Sequence, residues 1–289
     1  MVRRIPWHDS EKARSALREG ARDLFRDAEG GPWNIAWCAG AGVVATSTDP
    51  LSAETSVFTT FLSDLTNDAP TGGALFLASS AGGVYAGSPD SPPYTEHSVA
   101  RALAPYGVEK LAMEAELRRF ASATGMPTLI GRIANLYGPG QNLFKGQGLI
   151  SQLCLAQVTR QPAVVYVSLD TLRDYLYVAD CADMVAVALG GLREQVAEHA
   201  SPVVTKILAS GRGRTIGALI SESARVFHRR PPVVVKAPGS ASGQVRDLRL
   251  RSVEWPELDR YVRTPLPVGI AATGEHIARQ SRASQRQQS

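Results

Sequence analysis

Tyr106 and Lys110 stand four residues apart in a stretch, Pro105 to Thr124, whose apolar residues Leu111, Ala115 and Phe120 recur at helical spacing. On such a helix the two side chains share a face, with Cβ atoms about 5–6 Å apart. An ammonium beside a phenol favours phenolate. The pair is therefore expected to lower the tyrosine from its ordinary pKa of about 10 and fit it for general acid or base work. A half-buried tyrosine and a solvated lysine on an ordinary surface helix have the same spacing, so the pattern gains meaning only from its surroundings. Ser79-Ser80 supply the first of these, at the end of the apolar run Ala74 to Ala78. Open α/β sheets place ligands at the carboxyl ends of their strands. A hydroxyl there can hydrogen-bond an oxygen that gains or loses a proton during hydride transfer, although serine is also common in strand-end turns.

The elements that must position these groups follow from periodicity. Asp9-Ser10 caps a helix reaching Ala28, with Leu17, Ala21, Leu24 and Phe25 on one face, and Gly30-Gly31-Pro32 stops it. Trp33 to Cys38 is a short buried strand that runs into Ala39-Gly40-Ala41-Gly42. A second helix carries Leu51, Val57, Phe58, Phe61 and Leu62, and Pro127 to Ile133 forms the strand after the Tyr106 helix. Continuous apolar strands alternating with helices of ten or more residues imply a parallel sheet covered on both faces. From about Gly140 the loops lengthen. Leu176-Tyr177-Val178 and the apolar helix Ala182 to Leu192 are expected to return to that sheet, whereas Val203 to Leu208, Ile216 to Phe227 and Val233 to Val235 are expected to build a small α/β lobe.

Several segments in order and register resemble the extended short-chain dehydrogenases/reductases of the NAD-dependent epimerase/dehydratase type, which act on nucleotide-activated sugars. They are Ser79-Ser80 with Val84-Tyr85; Pro105 to Glu114, which includes Tyr106-Gly107-Val108-Glu109-Lys110; Arg132-Ile133-Ala134-Asn135-Leu136-Tyr137-Gly138-Pro139-Gly140; and Arg173 to Asp180. The likeness runs from about Val2 to Val268. It implies that Tyr106 is the catalytic acid/base and that Lys110 holds the nicotinamide ribose and tunes Tyr106. It makes Ser80 the substrate-facing hydroxyl, with Ser79 as the fallback and a cofactor neighbour. Asn135 and Arg173 would face the diphosphate of the sugar nucleotide, a task that suits arginine's planar fork. Ala81-Gly82-Gly83 follow the strand-end hydroxyl where eliminating relatives carry acids, which argues against a dehydratase or decarboxylase and for an epimerase or a simple reductase.

The same resemblance expects an opening strand, a Gly-x-x-Gly-x-x-Gly turn and a helix whose N-terminus binds pyrophosphate. Nothing before Trp33 contains that turn. Gly40-Ala41-Gly42-Val43-Val44-Ala45 matches Gly-x-Gly-x-x-Ala superficially. Its distance from Ser80 instead fits the family's fourth strand, so that Ala39, Gly40 and Ala41 would line the adenine-ribose side of the cofactor cleft. The cofactor implied is NAD, with NADP the alternative suggested by the arginines in Val2-Arg3-Arg4-Ile5. The expected fold is a doubly wound parallel Rossmann-type sheet missing its first β-α unit, with a smaller C-terminal substrate lobe. Residues 1–140 with about 173–192 would form the first domain, 141–172 and 193–275 the lobe, and 276–289 a disordered tail. The expected function is epimerisation through a transient keto intermediate by a homodimer that packs the Tyr106 helix and its neighbour against their copies. A reductase of the same superfamily is the alternative, as is a non-catalytic relative, truncated or degenerate, that binds a nucleotide sugar or a partner protein.

Bulk properties fit this reading. The chain has 289 residues, 44% of them apolar, and a formal charge of +4. No apolar run approaches the ~18–20 residues of a membrane helix, and Met1 to Trp7 leads into no apolar signal segment. Cys38, Cys154 and Cys181 read as reduced, buried thiols of a cytoplasmic protein. The five histidines show no ligand spacing and no Cys-x-x-Cys occurs, so no metal is expected. Arg229-Arg230 and Arg246, Arg249 and Arg251 have no interleaved aromatics, which points to an anionic small molecule rather than nucleic acid.

Overall fold

The computed structural model describes residues 4–40, 48–143, 148–199, 201–236 and 245–288. In chain order the elements are α1 (Ser10–Asp27), β1 (Trp33–Trp37), α2 (Thr48–Asp68), β2 (Gly73–Ser80), α3 (Ala81–Tyr85), α4 (Pro105–Thr124), β3 (Thr128–Ile133), β4 (Asn135–Tyr137), α5 (Leu149–Thr159) and β5 (Ala163–Val165). They continue with β6 (Leu172–Tyr177), α6 (Val178–His199), β7 (Val203–Leu208), β8 (Gly213–Thr215), α7 (Ile216–Val226), β9 (Val233–Val235), β10 (Asp247–Leu248), a 3-10 helix at Pro256–Tyr261 and α8 (Leu266–Gln288). The chain divides into two compact units. One holds Met1–Val84, Ala100–Arg132 and Val185–Lys206; the other holds Tyr85–Val99, Ile133–Met184 and Ile207–Ser289.

The first unit is built on a sheet of order β1-β2-β3-β7. β1 and β2 run parallel, in register from Trp33↔Gly73 to Trp37↔Leu77. Ala74 to Leu77 of β2 and Leu129 and Ile130 of β3 are fully buried, as strands covered on both faces should be. Trp37 packs its ring 5.0 Å from Phe58 and 5.2 Å from Phe61 on α2, in a core that also takes Leu75, Leu77, Met113, Leu117, Phe120 and Ile130. Asp9 caps α1 by accepting from the Lys12 amide at 3.1 Å. Arg14 and Arg18, one turn apart on α1, reach Asp64 and Asp68, one turn apart on α2, each at 2.8 Å. That match of helical periods fixes how the two helices align.

The second unit has a sheet of order β10-β6-β4, with β8 antiparallel to β6, and a parallel pair β5-β9. Its core joins Tyr137, Ile150, Cys154, Val165, Ile216, Leu219, Ile270 and Ile277.

Three expectations about the division need correction. β7 belongs to the first sheet and not to the C-terminal lobe: it lies beside β3, and the Thr128 amide bonds the Pro202 carbonyl at 2.8 Å. Its run Val204, Ile207 and Leu208 is apolar enough to be buried there. Residues 85–99, 133–140 and 173–184, expected in the first domain, fall in the second unit, where β6 pairs with β4, β8 and β10 rather than with β2 or β3. The tail is helical through Gln288 and not disordered. Ile270 and Ile277 bury one stripe of α8, and Ala278, Arg279, Gln280, Arg282 and Ala283 are good helix formers that carry it onward.

Candidate active site

Four elements of the first unit converge on Tyr106. β2 ends at Ser80, whose Oγ accepts from the Gly83 amide at 3.2 Å and so caps the first turn of α3. α4 starts with Pro105 at its first position and has no side-chain cap. Its first turn lies directly on α3: a Cβ on Gly107 would fall 2.2 Å from the Gly83 carbonyl oxygen, and a Cβ on Gly83 would fall 3.2 Å from the Tyr106 ring. Two glycines thus bring the backbones together and set the phenol beside the strand-end serine.

Tyr106 and Lys110 occupy successive turns of α4 as their spacing predicts, with Nζ 5.7 Å from the ring centroid. The expected electrostatic effect does not follow. Burial pushes the Tyr106 phenol up from its ordinary value, a hydrogen bond from Ser80 pulls it down, and the charge of Glu54 pushes it up again. The reason lies with the lysine's partner. Lys110 is buried, and its ammonium is 3.3 Å from Glu54 Oε1 on α2 and 3.8 Å from Met113 Sδ. A charge already balanced by a carboxylate has little left to stabilise a phenolate. Glu54 in turn lies against the end of β1, where a Cβ on Gly40 would be 2.7 Å from its Oε1.

Ser79, the neighbouring serine, is engaged elsewhere. Its Oγ donates to Glu114 Oε1 at 2.6 Å, and Arg132 donates to both oxygens of the same carboxylate, Nε at 3.1 Å and Nη2 at 2.7 Å. All three residues are buried. They knit β2, α4 and β3 together in the unit that holds Tyr106. Of the residues assigned to the cofactor, Ala39 is half-buried, Gly40 is exposed, and Ala41 lies outside the described residues. So do the rest of the Gly42 to Ala45 alternative and Val2-Arg3.

Asn135 and Arg173 lie in the second unit. β4 and β6 pair with Asn135 opposite Tyr175, and Asn135 Nδ2 donates to the Asp174 carbonyl at 2.9 Å. Arg173 donates to the Leu172 carbonyl at 2.8 Å, and burial lowers its pKa. Asp174 is fully buried, and its carboxylate accepts from the Ser210 amide, the Ser210 hydroxyl and the Arg212 amide at 2.8–2.9 Å. Each of this adjacent pair has its own bonds on β6. Cys154 and Cys181 are buried, with burial raising the Cys154 thiol to about 12. Cys38, expected to be buried, is exposed at the end of β1, and all three are free thiols.

Nothing in the sequence alone marks Glu54, or the bonds of Glu114, Arg132 and Asp174. Glu114 and Arg132 do stand within the segments that carry the family likeness. Glu54 is one acid in an ordinary amphipathic helix and carried no signal.

A parallel sheet flanked by helices, with a serine, a tyrosine and a lysine near one strand end, defines a Rossmann-like α/β protein. The chain belongs to the NAD dependent epimerase/dehydratase family, whose model matches residues 28–200. It is 30% identical over 122 residues to a putative UDP-glucose 4-epimerase of Methanocaldococcus jannaschii, covering 42% of this chain and 40% of that protein. Over 128 residues it is 35% identical to the UDP-glucose 4-epimerase of Azospirillum brasilense, covering 40% of this chain and 36% of that protein. The matched part therefore spans about two fifths of these relatives. In fold it resembles the UDP-glucose 4-epimerase of Thermus thermophilus in complex with NAD, at TM-score 0.76 and 21% identity over 95% of this chain and 83% of that one. Among the described residues no helix is long and apolar enough to cross a membrane, and no group of three or more His, Cys, Asp or Glu is placed to hold a metal ion.

Proposed function

We propose that the chain epimerises a nucleotide-activated sugar with NAD as its cofactor, and the juxtaposition of Ser80, Tyr106 and Lys110 carries this reading. The donor set fits the cofactor: a strand-end hydroxyl and a phenol are set side by side by the Gly83–Gly107 approach, and an ammonium on the next turn keeps donors beyond the Glu54 contact. Gly40 leaves open beside Glu54 the space that a Cβ would fill. Bound NAD supplies a hydride acceptor and, when oxidised, a positive ring charge. Tyr106 Oη accepts the proton of the sugar hydroxyl being oxidised and returns it when the ketone is reduced on its other face. Ser80 Oγ holds the same oxygen, and Lys110 binds the ribose. Protons and hydride balance over the cycle, so no external reductant is consumed. Without cofactor the raised phenol is protonated, and a cation arriving beside it would favour the phenolate. In the second unit Asn135 and Arg173 are assigned to the diphosphate. The names of the relatives support a UDP-hexose as the first substrate to try.

A homodimer is part of this proposal, supported by the exposure of Leu103, just before α4, and of Val108 in its first turn, and light scattering in solution tests it. The primary test is NAD(H) and NADP(H) binding by calorimetry or nicotinamide fluorescence, followed by interconversion of UDP-hexoses. Micromolar NAD binding with turnover is the expected result. Failure to bind at millimolar cofactor would overturn the reading.

A further inference from the structure

The Glu54–Lys110 contact is more than a tie between helices. α2 and α4 are already joined by Ser52 and Thr55, whose hydroxyls donate to Glu109 at 3.2 and 2.6 Å, and by the core around Phe58 and Phe61. An ion pair removed from water adds little net stability, because desolvation offsets its Coulomb attraction. Yet here the side chains are only 8% and 13% exposed for Lys110 and Glu54, placed where α2, α4 and the end of β1 meet.

Valence suggests what the pair is for. An ammonium has three donors, and a carboxylate has about four acceptor positions. The contact between them, at 3.3 Å, and the Met113 sulfur at 3.8 Å use only part of that capacity. What remains is a donor and acceptors side by side, which is the complement of a vicinal diol. Carboxylates hold ribose hydroxyls in dinucleotide sites by the same chemistry.

We propose that Glu54 is a further cofactor-binding residue, its carboxylate forming with the Lys110 ammonium a charge-paired clamp for the ribose diol that Lys110 holds. This rests on the reading of Ser80, Tyr106 and Lys110 given above. Gly40 is part of the device, since any side chain there would strike Oε1 and displace the carboxylate.

The test measures Kd by fluorescence for NADH and for an analogue lacking the hydroxyls of the nicotinamide-side ribose. The unaltered protein should bind NADH about tenfold or more tightly than the analogue, the effect of at least one charge-assisted hydrogen bond. Glu54→Gln should weaken NADH about tenfold and shrink the preference over the analogue by the same factor, leaving only the share that Lys110 contributes, because the analogue already lacks the bond that the variant has lost. Gly40→Ala should lose the same share of the preference by displacing Oε1, which keeps the proposal testable if the Gln variant does not fold. If Glu54→Gln or Gly40→Ala discriminates against the analogue as well as the unaltered protein does, Glu54 is only a partner of Lys110 and the proposal falls while the function stands. If the unaltered protein binds no NADH, both fall.

Discussion

Tyr106, Lys110 and Glu114 follow one another at four-residue intervals along α4, yet the two ends of this stripe behave differently. At the Glu114 end the carboxylate receives Ser79 and both arms of Arg132, with all three residues buried. At the Tyr106 end the phenol is only half-buried, and Lys110 and Glu54 keep donors and acceptors in reserve. The adjacent serines sort between them, Ser79 to the closed end and Ser80 to the open one. A satisfied network holds geometry, whereas groups with valence to spare bind and react.

The sharpest way to break this contrast is Tyr106→Phe. It should lower kcat by roughly 10²- to 10⁴-fold while NADH affinity and the melting temperature stay near those of the unaltered protein. Full turnover in that variant would remove the proposed acid/base. Next in size is Glu114→Ala, which breaks a buried pair with Arg132 and should cost roughly 3–5 kcal/mol in urea unfolding. A loss within error would mean the closed end holds nothing. The two serines give a crossed comparison. Ser80→Ala should lower kcat roughly 10²-fold, and the lost α3 cap should cost about 0.5–2 kcal/mol. Ser79→Ala should leave kcat nearly intact and cost about 1–3 kcal/mol by depriving a buried carboxylate of a donor. Equal effects on activity would erase the distinction.

The smallest effect is titrational. Burial and the Glu54 charge both oppose a negative phenol, so Tyr106 in the cofactor-free protein should ionise above its ordinary pKa of 10, read as phenolate absorbance against the Tyr106→Phe variant. Glu54→Gln removes one of the two and should lower that midpoint. Since the unfolded phenol ionises first, Tyr106 should also make the fold less stable as pH climbs past about 10.

Much of this was legible in the residues. The apolar runs of β1, β2 and β3 and the bounds of α4 follow from periodicity alone, and Tyr106 with Lys110 from spacing on that helix. What periodicity cannot report is which sheet a strand joins. Val203 to Leu208 reads equally well as a strand of either unit, and only pairing with β3 decides. The pKa of Tyr106 escaped for a similar reason. Lys110 is visible as a neighbour four residues away, but the burial that raises the phenol, and the Glu54 charge that adds to it from 56 positions away from Lys110, exist only in the folded chain. The tail misled because a polar composition looks alike in a solvated coil and in a helix anchored by Ile270 and Ile277.

The contact between Gly83 and Gly107 has a consequence for evolution. The gap between the phenol and the strand-end hydroxyl is set by two backbones meeting, not by the side chains around them. Substitutions in the surrounding core can accumulate without changing that gap, so long as both positions stay free of a side chain. What must be kept for that gap to persist is thus the absence of a side chain at Gly83 and Gly107, and not the identity of the residues packed around them.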